Sequence, residues 1–113
     1  MITIYHNGEC SKSKGALELL QESGAEHEVR WYLTDPLATA ELKELLAKLG
    51  MQPSQIVRKS EPLCKELYEG KTLDEAQWLS VLHEHPVLME RPIAVKGSIA
   101  IIARPPERIN ELL

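Results

Sequence analysis

A chain of 113 residues with 43% hydrophobic and 27% charged residues is long enough to bury a core and too apolar for disorder, which predicts one globular domain over residues 1–113. Its formal net charge of -4 lacks the basic field that non-specific binding to nucleic acid or an anionic membrane surface needs, so neither partner is expected. The first strand-like run begins at Ile2 and no apolar stretch approaches the roughly 20 residues of a bilayer span, so a monomer with a cytoplasmic location is expected.

Ile2-Thr3-Ile4-Tyr5 is β-branched and aromatic, and His6-Asn7-Gly8 bounds it, which predicts a strand ending in a turn. From Ser11 onward Ala16, Leu17 and Leu20 recur at helical spacing and Gly24 supplies a left-handed stop. Glu28 to Leu33 reads as a second strand closed by Pro36, giving a β-α-β opening with a parallel pair and a right-handed crossover. Leu42, Leu45, Leu46 and Leu49 form one helical stripe between Thr39 as N-cap and Gly50 as stop.

A segment from Ser60 to Tyr68 places Leu63, Cys64, Leu67 and Tyr68 on two adjacent helical rows. Thr72-Leu73-Asp74-Glu75 resembles a capping box opening a helix that runs to His85-Pro86, and this middle block carries no strand signal. Pro92–Val95 and Ile99–Ile102 flank Lys96-Gly97-Ser98, which predicts a β-hairpin. Pro105-Pro106 start a last helix with Ile109, Leu112 and Leu113 on one face. The order β-α-β, helices, β-β-α is an α/β arrangement of the thioredoxin-like type with a helical insertion in the middle. No internal repeat or linker interrupts it.

Cys10 stands where the loop after the first strand enters the first helix, a position that favours a thiolate. Making the thiolate the majority form at neutral pH takes roughly 2.7 kcal/mol, whereas a helix N-terminus typically supplies about 0.3–1 kcal/mol. Cations must add to it. Lys12, Lys14 and a protonated His6 are the near candidates, more distant arginines that converge in the fold are the others, and Glu9 opposes them. Cys10-Ser11-Lys12-Ser13 has serine where a dithiol oxidoreductase carries its second cysteine, so an external thiol has to resolve any mixed disulfide. Cys64, beside Leu63 and Leu67, reads as a structural residue, and both cysteines are expected to be free thiols. The sixth residue after Cys10 is Ala16, which excludes the Cys-x5-Arg phosphate cradle of tyrosine phosphatases. His83 and His85 are the only close pair of metal-ligand type, and at i, i+2 near a helix end they do not face one another, so both are expected at the surface and no metal site is expected.

Four places together resemble the glutaredoxin-linked arsenate reductase (ArsC) family along essentially the whole chain. They are Tyr5-His6-Asn7 leading to Cys10-Ser11-Lys12-Ser13, Tyr32-Leu33 before Pro36, Val57-Arg58-Lys59, and Glu90-Arg91-Pro92-Ile93 with Ala103-Arg104-Pro105-Pro106-Glu107. The resemblance implies that Cys10 attacks arsenic, that Arg58, Arg91 and Arg104 hold the oxyanion, and that His6 and Ser13 tune or position the thiolate. It also implies a cis peptide at Pro92, no bound cofactor, glutathione as co-substrate and glutaredoxin as partner. Two positions depart from the family pattern: Lys14 stands where arginine is usual and Gly8 where proline is common.

Each arginine also has a purely structural reading. Arg58 follows Ile56-Val57 and suits the end of a short helix, where a cation complements the dipole. Arg91 and Arg104 bracket the hairpin, so paired strands bring them near each other, and their convergence calls for an anion. Two alternatives remain at this level: a glutathione-dependent thiol reductase acting on another small substrate, and an Spx-like regulator that binds RNA polymerase. Many of the latter carry a Cys-x-x-Cys switch that Ser13 breaks here.

Overall fold

The computed structural model describes residues 1–113. The chain forms two compact units, one from Met1–Asp35 with Arg91–Leu113, the other from Pro36–Glu90. The first holds a four-stranded sheet in the order β2-β1-β3-β4, built from β1 (Ile2–Tyr5), β2 (His27–Arg30), β3 (Ile93–Lys96) and β4 (Ile99–Ile102). The β1–β2 pair is parallel, as a crossover through a helix requires, and the other two pairs are antiparallel. This is the mixed α/β arrangement of the sequence reading.

Alternation along β1 sends Ile2 and Ile4 to one face, where they join Ala16 and Leu20 of α1 (Ser11–Ser23) in the core. Ala94, Ile101, Ile109 and Leu112 complete that cluster. Gly97, at φ +63°, makes the tight turn between β3 and β4 that the hairpin pattern anticipates. The second strand stops at Arg30, short of the expected Leu33, because β1 has no residue left to pair beyond Tyr5. The chain then folds into a turn in which the Thr34 and Asp35 N–H groups donate to the Trp31 carbonyl at 3.1 and 2.8 Å.

The last segment, Pro106–Leu112, is a 3-10 helix. Its three-residue period aligns Ile109 with Leu112 against the core and leaves Leu113 exposed, correcting the expectation that all three share a buried face.

The second unit is helical: α2 (Thr39–Leu49), α3 (Pro62–Tyr68) and α4 (Glu75–Glu84), with 3-10 turns at Pro53–Ile56 and Pro86–Leu88. Leu42, Leu45 and Leu46 are buried as the stripe predicts. The cap of α2 is Ala38, one residue before the expected Thr39, and Glu41 reaches back to accept its N–H at 3.0 Å. Pro62 moves the start of α3 two residues past Ser60, since a proline inside a helix would forfeit a bond that it can spare at the first position.

The capping box of α4 is Asp74 with Gln77, two reciprocal 2.8 Å bonds, and Thr72 has no part in it. Glu75 is engaged elsewhere: its carboxylate accepts from the Ser54 N–H at 2.9 Å and hydroxyl at 2.6 Å, which holds it below the usual carboxylate range. An isolated antiparallel bridge between Val57 and Met89 adds a strand-like contact where none was expected. His83 is exposed as anticipated, whereas His85 is half-buried with its ring edge toward Tyr68.

Candidate active site

Asn7 organises the loop between β1 and α1 from a buried position. Its carbonyl accepts the Cys10 N–H at 3.1 Å, its side-chain oxygen accepts the Glu9 N–H at 2.9 Å, and its own N–H donates to Ser13 Oγ at 3.0 Å. These three bonds turn the chain out of the strand and leave Cys10, with extended backbone, as the residue that caps α1.

Ser13 is fully buried because it begins the stripe Ser13, Ala16, Leu20 that faces the core. Ser13 Oγ accepts the Asn7 N–H and lies 2.6 Å from His6 Nδ1, so one buried hydroxyl ties both the loop backbone and the imidazole. Burial first, and the charge of Lys14 second, hold His6 below its ordinary pKa against an opposing hydrogen bond with the Ser13 backbone. The protonated His6 expected near Cys10 is therefore replaced by a neutral ring: protonation would place a charge in a buried site already facing a lysine.

Burial pushes the Cys10 thiol up, but opposing interactions outweigh it and the net direction is down. They are the Ser13 backbone N–H, a hydrogen bond from the Arg91 side chain, the Lys12 backbone N–H and the charge of Arg91. The neutral thiol closes no cap bond. The stabilisation belongs to the thiolate, which is the better acceptor. Of the cations expected, a distant arginine and not the neighbouring lysines reaches the sulfur. Lys12 acts through its peptide N–H, Lys14 bears on His6, and the cation at the sulfur is Arg91.

Hairpin pairing brings Arg91 and Arg104 together, as their placement at its two ends predicts. Ile93 pairs with Ile102, the Ala103 N–H donates to the Pro92 carbonyl at 2.9 Å, and Arg104 Nη1 donates to the Arg91 carbonyl at 3.4 Å. Both side chains are half-buried. The Arg91-Pro92 peptide is cis, as the resemblance implies, and so is Arg104-Pro105.

Arg58 belongs to the second unit, where it follows the Pro53–Ile56 turn. Its N–H donates to the Leu88 carbonyl, and its Nη1 forms a 2.8 Å ion pair with Glu61. No group of three or more His, Cys, Asp or Glu side chains is placed to hold a metal ion, and no helix is long and apolar enough to cross a membrane.

A cysteine whose thiol is held below its ordinary value by an adjacent guanidinium, with a second arginine just past the adjoining strand, suits nucleophilic attack on a small oxyanion. The family model described as the ArsC family matches residues 5–112. The chain belongs to the ArsC family. It is 40% identical over 114 residues to an arsenate reductase of Neisseria meningitidis serogroup A, covering 99% of this chain and 97% of that protein. It is 43% identical over 114 residues to the uncharacterized protein YfgD of Escherichia coli K12, covering 99% and 96%. Among solved structures, an arsenate reductase from Vibrio cholerae superposes with a TM-score of 0.93 at 39% identity, covering 99% of this chain and 97% of that one.

In this ArsC family chain, the turn read at His6-Asn7-Gly8 is in place, but the hydrogen bonds by which Asn7 holds the loop and the packing of Trp31 escaped the sequence reading. Asn7 had a signal in its turn composition. Trp31 had none: it is half-exposed, and its ring meets the edge of His6 at 4.8 Å with planes at 75°. A Cβ on Gly8 would stand 3.2 Å from a carbon of that indole, so glycine is what lets the loop lie against the ring.

Proposed function

We propose that this ArsC family protein reduces arsenate to arsenite with Cys10 as nucleophile. One observation carries the reading: the Cys10 thiolate is stabilised by the first N–H groups of α1 and by Arg91, with Arg104 on the adjoining strand end. The relatives named arsenate reductases supply the substrate class. In this reading Arg91 and Arg104 hold arsenate oxygens through charge-assisted hydrogen bonds and align arsenic with the sulfur. The resemblance assigns Arg58 to the same anion.

The thiolate attacks arsenic, a sulfur–arsenic bond forms, and one arsenate oxygen leaves as water after protonation from solvent, with arsenic still at +5. Glutathione thiolate then attacks the Cys10 sulfur. A disulfide bond forms as the sulfur–arsenic bond breaks, and that electron pair stays on arsenic, which leaves as arsenite at +3. Glutaredoxin thiolate attacks the glutathione sulfur of the mixed disulfide and returns Cys10 as a thiolate.

All electrons come from thiols, so no bound cofactor enters. The external reductants are supported by Ser13 at the position of a resolving cysteine. Cys10 and Cys64 are both free, in keeping with a reducing cytoplasm. His6 and Ser13 act as positioning residues through the loop they hold, and the 113 residues work as one functional domain.

Arsenite formation with glutathione and glutaredoxin tests the mechanism: Cys10→Ser is expected to fall to the uncatalysed background, and turnover equal to wild type removes Cys10 from the chemistry. Arg58→Met tests the third arginine. Loss of a charge-assisted bond of about 1.5–3 kcal/mol raises the KM for arsenate about 10- to 100-fold. An unchanged KM would confine Arg58 to its partnership with Glu61.

A further inference from the structure

The second unit contains a cavity for which the Cys10 chemistry has no use. Its volume is about 350 Å³, at the small end of the range of about 300–1,000 Å³ for small-molecule sites. Tyr68 at the end of α3 and Trp78 in α4 give it an aromatic wall, their rings edge to face with centroids 6.0 Å apart. Cys64, buried on α3, extends that wall. Burial pushes its thiol up and the charge of Lys59 only partly opposes this, so it serves as a neutral, weakly polar surface.

The rest of the lining is charged. Lys59, Lys65 and Lys71 line the cavity beside one carboxylate, Glu69, while Glu75 acts on Lys59 and Glu84 on Tyr68 from outside the lining. None of the three lysines is ion-paired with a carboxylate. Lys59 Nζ lies 5.2 Å from the centroid of the Trp78 ring, so one cation already stands over the aromatic wall.

A bare inorganic oxyanion would gain from the ammonium groups and nothing from the rings. A neutral aromatic molecule would gain from the rings and make no use of the three lysines. We infer that this cavity binds a small organic anion, its aromatic body against Tyr68 and Trp78 and its carboxylate or comparable anionic group at Lys59, Lys65 and Lys71. The inference is independent of arsenate reduction, since every residue it uses lies in Pro36–Glu90.

The test is titration of the ¹⁵N-labelled full-length protein with phenylacetate, with phenylacetamide as the neutral isostere. The chain has two tryptophans, Trp31 and Trp78, whose indole N–H signals report the two units separately. Phenylacetate is expected to shift the Trp78 indole and the Lys59 and Tyr68 amides saturably while the Trp31 indole stays in place. Phenylacetamide should bind at least tenfold more weakly. The double variant Lys59→Gln/Lys65→Gln, which alters only exposed side chains, should weaken phenylacetate at least fivefold with the remaining spectrum unchanged. No saturable shift, equal binding of acid and amide, unaltered affinity in the double variant, or shifts centred on Trp31 and Cys10 would each overturn the inference.

Discussion

Ser13→Ala isolates the part played by one buried hydroxyl in holding the Cys10 loop. In the wild type Ser13 Oγ accepts the Asn7 N–H at 3.0 Å and bonds to His6 Nδ1 at 2.6 Å, with all three residues buried. Alanine strands both partners away from water, and each stranded buried group costs about 1–3 kcal/mol. The higher helix propensity of alanine returns about 0.5 kcal/mol, so the net loss is about 1.5–5.5 kcal/mol. For a chain of this length each kcal/mol moves the midpoint by about 4 °C, so the expected fall in Tm is about 6–22 °C.

Urea and thermal unfolding of wild type, Ser13→Ala, His6→Phe and the double variant supply the assay. Because the two side chains share one bond, the double variant should be more stable than the sum of the single losses predicts, by at least about 0.5 kcal/mol. A Ser13→Ala protein within about 0.5 kcal/mol of wild type, or a strictly additive cycle, refutes the hydrogen-bond network described for this loop.

Arg91→Gln removes a charge and a hydrogen bond from the Cys10 thiolate, so the pH midpoint of Cys10 alkylation should rise. Lys12→Met, which keeps the peptide N–H, should leave it unmoved, and equal shifts in the two variants would contradict the assignment of Arg91 as the cation. His6 has its folded pKa lowered, so the unfolded chain binds the proton more readily. Its contribution to stability is complete above the unfolded value of about 6.5 and is lost as pH falls below it toward the folded value. NMR titration should give His6 an inflection below 6.5, the reference value; one above it reverses the sign. Asp74→Ala should destabilise by about 1 kcal/mol through loss of the α4 cap, with Thr72→Ala near neutral in the same denaturation series.

The sequence was most informative where a few neighbouring residues decide the outcome. Gly24 and Gly50 both adopt the left-handed conformation that ends α1 and α2, and Gly97 turns the hairpin. The apolar stripes bury Ala16 and Leu20 of α1 and Leu42, Leu45 and Leu46 of α2, with Leu17 and Leu49 half-buried at their edges. Cap residues were misread by one or two positions, because a side-chain oxygen alone does not fix the cap: Ala38, which has none, caps α2 with Glu41 reaching back to its N–H. Glu75 goes to Ser54, which leaves the cap of α4 to Asp74 and Gln77. Period alone also misjudged Leu113, whose exposure follows from three rather than 3.6 residues per turn.

The order of strands and helices, the placement of Cys10 at the start of α1 and the meeting of Arg91 with Arg104 were all present in the amino-acid string, since each follows from local periodicity or from the symmetry of a hairpin. Which of the cations bears on the sulfur was not. A charge acts through distance and burial, and only folding brings Arg91 to Cys10, buries His6 as a neutral ring and turns Lys14 toward that ring. The string offered neighbouring lysines and distant arginines alike, and proximity in space chose Arg91.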